Sequence, residues 1–118
     1  MIIIKGELTD LNTYINLTRT NRFASAKVKR DNTTLVSLQL QQQKETLYKE
    51  LYIVMIDWYV KDSRKDADNI VFAKKFLLDA LVEKNYIKDD GQKYIKGFID
   101  MVFVDKLNPR IQVNFIKI

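Results

Sequence analysis

Neither histidine nor cysteine occurs anywhere in the 118 residues. Their absence excludes Ser-His and Cys-His nucleophilic machinery, Cys/His zinc sites, haem ligation through either residue, and any disulfide framework. A metal would have to be held by oxygen, which favours Mg²⁺, Mn²⁺ or Ca²⁺. Only Asp, Glu, Lys and Tyr are left as general acids or bases. Long apolar runs are missing as well. No stretch approaches the ~18 residues that a membrane-spanning helix requires. The opening Met1-Ile2-Ile3-Ile4 meets Lys5, Gly6 and Glu7 too soon for a secretory leader and reads as a strand. The expectation is a cytoplasmic protein with no membrane partner.

What is present is enough for one packed domain. Apolar residues make up 47% of the chain, with one Trp, six Tyr and six Phe. That content argues against disorder, and the length fits a single domain over residues 1–118 with no linker or internal repeat. A net charge of +5 points weakly to a polyanionic partner. Its distribution says more. Arg19, Arg22, Lys27, Lys29 and Arg30 fall close together with no acid among them, in what reads as a basic loop. Such residues supply phosphate contacts, and Phe23 between them either stacks on an exposed base or returns to the core.

Along the chain, Met1–Leu8 reads as a strand and Leu11–Leu17 as a short helix capped by Thr9 or Asp10. A weaker helical pattern covers Ala26–Gln43, interrupted by Asp31-Asn32-Thr33-Thr34 and ending in a polar run, Gln39 and Gln41 to Gln43, taken as an exposed helical end. Glu45–Tyr48 reads as connecting sequence. Leu51–Val60 is the strongest strand, so continuously apolar that it is expected at the sheet centre with both faces covered. Asp57 within it reads as an exposed strand-end residue. Asn69–Lys84 is helical, with Asp68 as its N-cap and Lys75 and Asp79 one turn apart on its polar side. Ile95–Val104 and Ile111–Ile118 close the chain as strands. The expected architecture is α+β and two-layered, a mixed sheet of about four strands with two main helices in the order β-α-β-α-β-β.

Chemistry concentrates in acids at the two ends of the third helical stretch: Asp66 and Asp68 before it, Asp89 and Asp90 after it. Two like charges about 4 Å apart repel by roughly 4 kcal/mol at an effective dielectric near 20. Splaying into solvent, a raised pKa or a bound cation relieves this. A capped loop and a polar turn explain these acids as well as a site does. The alternative is geometric: residues i and i+2 of an extended segment point the same way, so Asp66 and Asp68 can converge. Asp90 joins them only if the chain folds back.

The run Asp66-Ala67-Asp68-Asn69, then Lys75, then Leu78-Asp79-Ala80-Leu81, then Asp89-Asp90 resembles the RusA family of Holliday-junction resolvases. Tyr94-Ile95-Lys96-Gly97 is similar to the branch found in Gram-positive bacteria and their phages. The resemblance implies a RusA-like fold and a homodimeric, Mg²⁺-dependent endonuclease, with Mn²⁺ as a substitute. Such an enzyme makes paired symmetric nicks in four-way junction DNA during recombination and repair. It implies Asp66, Asp68 and Asp90 as metal-binding catalytic acids, Asp89 as a weaker neighbour and Lys75 as the catalytic lysine. Arg19, Arg22, Lys27, Lys29 and Arg30, with Lys65 and Lys74, would contact DNA. The chain departs from the family at one place. About three more residues separate Asp68 from Asp79 than in the best-known member, close to one extra helical turn. Counted forward from Asp68 the lysine position falls on Phe72, and counted back from Asp79 it falls on Lys75; Lys74 stays open beside it.

Overall fold

The computed structural model describes residues 1–43 and 50–118. The connecting segment expected at Glu45–Tyr48 lies outside them. Eight elements follow one another: β1 (Ile2–Lys5), α1 (Leu11–Thr20), α2 (Ala24–Leu40), β2 (Tyr52–Val60), α3 (Ala67–Val71), α4 (Lys74–Glu83), β3 (Ile95–Val104) and β4 (Arg110–Lys117). The strands form one mixed sheet in the order β1-β4-β2-β3, with β2 and β3 parallel and the other pairs antiparallel. This is the expected two-layer α+β fold, with α2 and α4 as its main helices.

The parallel pair requires a crossover, which α3 and α4 supply. Val54, Ile56, Trp58 and Val60 of β2 point to the helical layer, as do Ile2, Ile4, Ile111 and Val113 of its neighbours. Val28, Val36 and Leu40 of α2 and Leu77, Ala80 and Leu81 of α4 meet them there. Burial of this kind stabilises by about 25 cal/mol per Å² of apolar surface, and it is what holds the crossover onto the sheet.

Four expectations are corrected. First, β2 is central but covered on one face only. Its other face continues into Ile99, Met101 and Phe103 of β3, all exposed. The run looked doubly buried because its open face is apolar too. Second, Asp57 stands in the middle of β2, half-buried on that open face opposite Gln112 and Met101, rather than at a strand end. Third, the stretch Arg19–Arg30 is helical apart from a three-residue turn, Asn21 to Phe23, so the basic residues sit on a helical hairpin and not on a loop. Ala24, Ala26, Lys27, Lys29 and Arg30 are all good helix formers. Asn32, in the interruption expected to weaken α2, donates to the Val28 carbonyl at 2.8 Å and to the Thr9 hydroxyl at 2.9 Å, and accepts from the Thr9 amide. Fourth, the helix expected over Asn69–Lys84 starts earlier and is broken at Phe72 and Ala73 into α3 and α4.

The polar end of α2 has a task as well. Gln39 and Gln43, one turn apart, aim their amides at the outer edge of β1. Gln39 accepts from the Lys5 amide at 2.6 Å and donates to the Lys5 carbonyl at 2.9 Å. Gln43 does the same with Ile3 at 3.4 and 3.0 Å. The two side chains thus occupy the hydrogen-bonding positions of a missing strand. β3 forms the opposite edge and, among the described residues, pairs with β2 alone.

Candidate functional site

Three elements converge at the start of α4. Lys75 lies in its first turn, largely exposed. Asp79 follows one turn later, as the i, i+4 spacing requires, with its carboxylate 3.1 Å from the Lys75 ammonium. Lys29 of α2 approaches the same carboxylate at 3.7 Å. Asp90 arrives from beyond the far end of the helix. Asn85 takes a left-handed conformation (φ 62°) just past α4, and the Tyr86 and Ile87 amides donate to the Leu81 carbonyl. Tyr86 and Ile87 then plug the core. The chain runs back beside α4, whose ten residues rise roughly 15 Å, a span that a few extended residues cover. Asp90 ends 2.6 Å from the Lys75 ammonium. The chain thus folds back as far as Lys75, but among the described residues Asp90 does not join Asp66 and Asp68 in one cluster.

These contacts set the charge state of the lysine. Hydrogen bonds that the Lys75 ammonium donates to Asp90 and then Asp79 hold it above its ordinary pKa of 10.5. It is a fixed cation at neutral pH. Lys74, its chain neighbour, faces another way. Its ammonium reaches Asp100 of β3, which also accepts from the Trp58 indole at 2.9 Å, and it lies 4.1 Å above the Phe98 ring. Lys74 therefore pins α4 to the sheet, and Lys75 alone of the two stands among the motif acids.

Asp66 and Asp68 sit at the other side of the helix break. Asp66, not Asp68, occupies the N-cap position of α3, with its carbonyl accepting from Ile70 and no side-chain capping bond. Asp68 lies in the first turn and accepts from the neighbouring Asn69 amide. Both are exposed. Asn69 is buried and structural: its carbonyl oxygen accepts from the Asn12 amide at 2.9 Å, tying α3 to α1. The break between α3 and α4 falls between Asp68 and Lys75. Phe72 occupies it, with its ring 5.1 Å from Tyr14 and 5.7 Å from Phe76.

No family model matches the chain, and no curated protein matches it.

Hard oxygen donors of this kind suit Mg²⁺ or Mn²⁺ in chemistry. The arrangement does not yet suit them in geometry. Among the described residues no group of three or more acids lies close enough to hold a cation. Asp90 is engaged by Lys75, and Asp89 accepts from the Asp90 amide. No step through a metal is derived for these residues.

The seven basic residues divide into two sets. Lys27 pairs with Asp31 at 2.6 Å, Lys29 with Asp79, Lys65 with Asp10 at 2.7 Å, and Lys74 with Asp100. Arg19, Arg22 and Arg30 have no carboxylate within ion-pair distance among the described residues, and all three are exposed on the α1–α2 hairpin. Sequence reasoning missed Asp100 and Asp10 as partners. Asp10 could have been found from its capping position; Asp100 stands in a strand with no motif around it.

Proposed function

We propose that this protein is a metal-dependent endonuclease acting on branched DNA, a resolvase of four-way junctions working as a homodimer in the cytoplasm. The observation that carries the reading is the contact of Lys75 with Asp90. Two motif residues separated by the whole of α4 meet at hydrogen-bond distance, and α2 brings Lys29 to the same group. A fixed ammonium beside carboxylates is suited to contact a phosphate and to stabilise charge developing on it. Mg²⁺, with Mn²⁺ as substitute and Asp66, Asp68 and Asp90 as the acids to hold it, belongs to this reading. The hairpin arginines would position the DNA backbone, and a two-fold dimer suits the approximate two-fold symmetry of a junction.

The test is a nicking assay on a labelled four-way junction, with Mg²⁺, with Mn²⁺ and with chelator. Paired nicks that need the cation and vanish in Asp68→Asn support the reading. Asp68 is exposed and among the described residues its side chain bonds only the neighbouring Asn69 amide, so that variant should keep its stability to within ~0.5 kcal/mol. An intact junction under both cations sinks the enzymatic part.

One observation favours a second reading, a non-catalytic module that binds branched DNA. Among the described residues the acids form no group of three, and Lys75 already engages Asp90. Junction affinity without cleavage, unchanged in Asp68→Asn, would select it.

A further inference from the structure

The tip of the α1–α2 hairpin carries an aromatic ring where a helical turn ordinarily has none exposed. Phe23 is 67% exposed, whereas Tyr14 of α1 packs against Phe72 at the α3–α4 break, which in turn meets Phe76 of α4. The Arg22 guanidinium lies 4.7 Å from the Phe23 centroid and orders the ring from one side. The ring also lines a groove of about 660 Å³ between the two helices, shared with Leu17, Thr20, Lys27, Arg30 and Asp31. Asp31 is paired there with Lys27, and Arg30 in the groove and Arg22 and Arg19 beside it have no carboxylate within ion-pair distance among the described residues.

A flat apolar ring set among unpaired cations is a poor surface for water and a good one for a nucleobase. Stacking satisfies the ring, and the phosphates on either side of the base satisfy the arginines. Duplex DNA offers the phosphates but keeps its bases stacked on one another. We infer that the Phe23 tip is a stacking platform for an unpaired nucleotide, so that the hairpin prefers single-stranded or locally opened DNA over duplex. This rests on the DNA-binding part of the reading above and is independent of cleavage. It assigns Phe23 selectivity for strand state, with Arg19, Arg22 and Arg30 as backbone contacts.

The experiment measures binding by fluorescence anisotropy, using labelled oligothymidylate and a duplex of equal length. Phe23→Ala is expected to weaken binding to the single strand by about 5- to 150-fold, the range for loss of one stacked base. Duplex affinity should change by less than about twofold, because no base is stacked there. Phe23→Trp should retain the preference. Arg19→Gln with Arg30→Gln should instead lower the salt slope, by about 0.7 per lost contact on a single strand. Phe23 forms no side-chain cap bond and its carbonyl contact to Lys27 survives substitution, so a melting curve should confirm a folded variant. Equal losses for single strand and duplex, or no loss for either, overturn the inference. So does a wild type that ignores oligothymidylate yet binds anionic vesicles through Phe23. If single-strand selectivity falls in Phe23→Ala while the wild type leaves junctions uncut, the platform stands and the nuclease reading falls.

Discussion

At the scale of single residues, the two adjacent lysines at the start of α4 separate structure from chemistry. Lys74 and Asp100 are both largely buried, with about a fifth of each side chain exposed. Lys74→Met strands a carboxylate beside the Trp58 indole, and urea denaturation should show a loss of about 1–3 kcal/mol. Lys75 is largely exposed, so Lys75→Met should cost no more than the ~0.2–1 kcal/mol of a surface pair. Any junction nicking should nevertheless disappear with it. The reverse ranking, activity lost with Lys74 and stability lost with Lys75, would exchange the roles. The raised pKa of Lys75 means that its pairing stabilises below 10.5 and fades only as pH rises past its folded value, so it gives no slope at neutral pH.

Among the described residues Asp10 is the most enclosed of the three carboxylates held below their ordinary value, the others being Asp31 and Asp105. Burial pushes its carboxyl up, but the Lys65 ammonium, the Thr13 amide and the Thr13 hydroxyl together hold it below the ordinary 3.8. A depressed carboxylate contributes stability above its unfolded pKa and loses it as pH falls through the folded value. Asn caps a helix as well as Asp does, so Asp10→Asn removes the ion pair and keeps the cap. The wild type should therefore exceed this variant by about 1–3 kcal/mol at neutral pH, with the gap closing below pH 3.8. No gap at neutral pH would assign Asp10 to capping alone.

At the scale of elements, the amide clamp on β1 is the feature with the plainest consequence. Replacing Gln39 and Gln43 by Ala leaves the outward amides and carbonyls of Ile3 and Lys5 to water. The net loss should be about 2–6 kcal/mol for four hydrogen bonds exchanged for water, read as a lowered urea midpoint. This scale also shows why sequence reading succeeds and fails. Ile95–Val104 is legible to the residue because Ile95, Phe98, Ile99, Val102, Phe103 and Val104 make it rich in β-branched and aromatic residues between a polar turn and Asp105. The basic hairpin was illegible because Asp31-Asn32-Thr33-Thr34 reads as an interruption. Only the distant Thr9, across the fold, turns Asn32 into a lock. Likewise the glutamines carry no local signal, since their partners are backbone groups far away in the chain. In the site, the pairing of Lys75 with Asp79 follows from helical spacing, whereas the return of Asp90 depends on the left-handed turn at Asn85. The break at Phe72 depends on the Tyr14 ring that receives it.

At the scale of the whole molecule, charge and surface are unevenly shared. The four candidate DNA-contacting lysines, Lys27, Lys29, Lys65 and Lys74, are already engaged by carboxylates, whereas Arg19, Arg22 and Arg30 of the α1–α2 hairpin have none within ion-pair distance among the described residues. No helix among the described residues is long and apolar enough to cross a membrane. The helices shield one face of the sheet, and the other presents Ile3, Ile99, Met101, Phe103 and Ile116 to solvent.

The two edges of that sheet differ in what they can join. One is closed by side-chain amides and the other, along β3, is open among the described residues. In strand pairing the molecule therefore has a valence of one. Two copies that meet along β3 use up both open edges, and growth stops at a pair. Removing the amides raises the valence to two, and each added copy then offers a fresh edge to the next. The Gln39→Ala, Gln43→Ala variant should accordingly sediment as a concentration-dependent series of species where the wild type reaches two copies at most. On this view two glutamines set the length of the longest chain the protein can build.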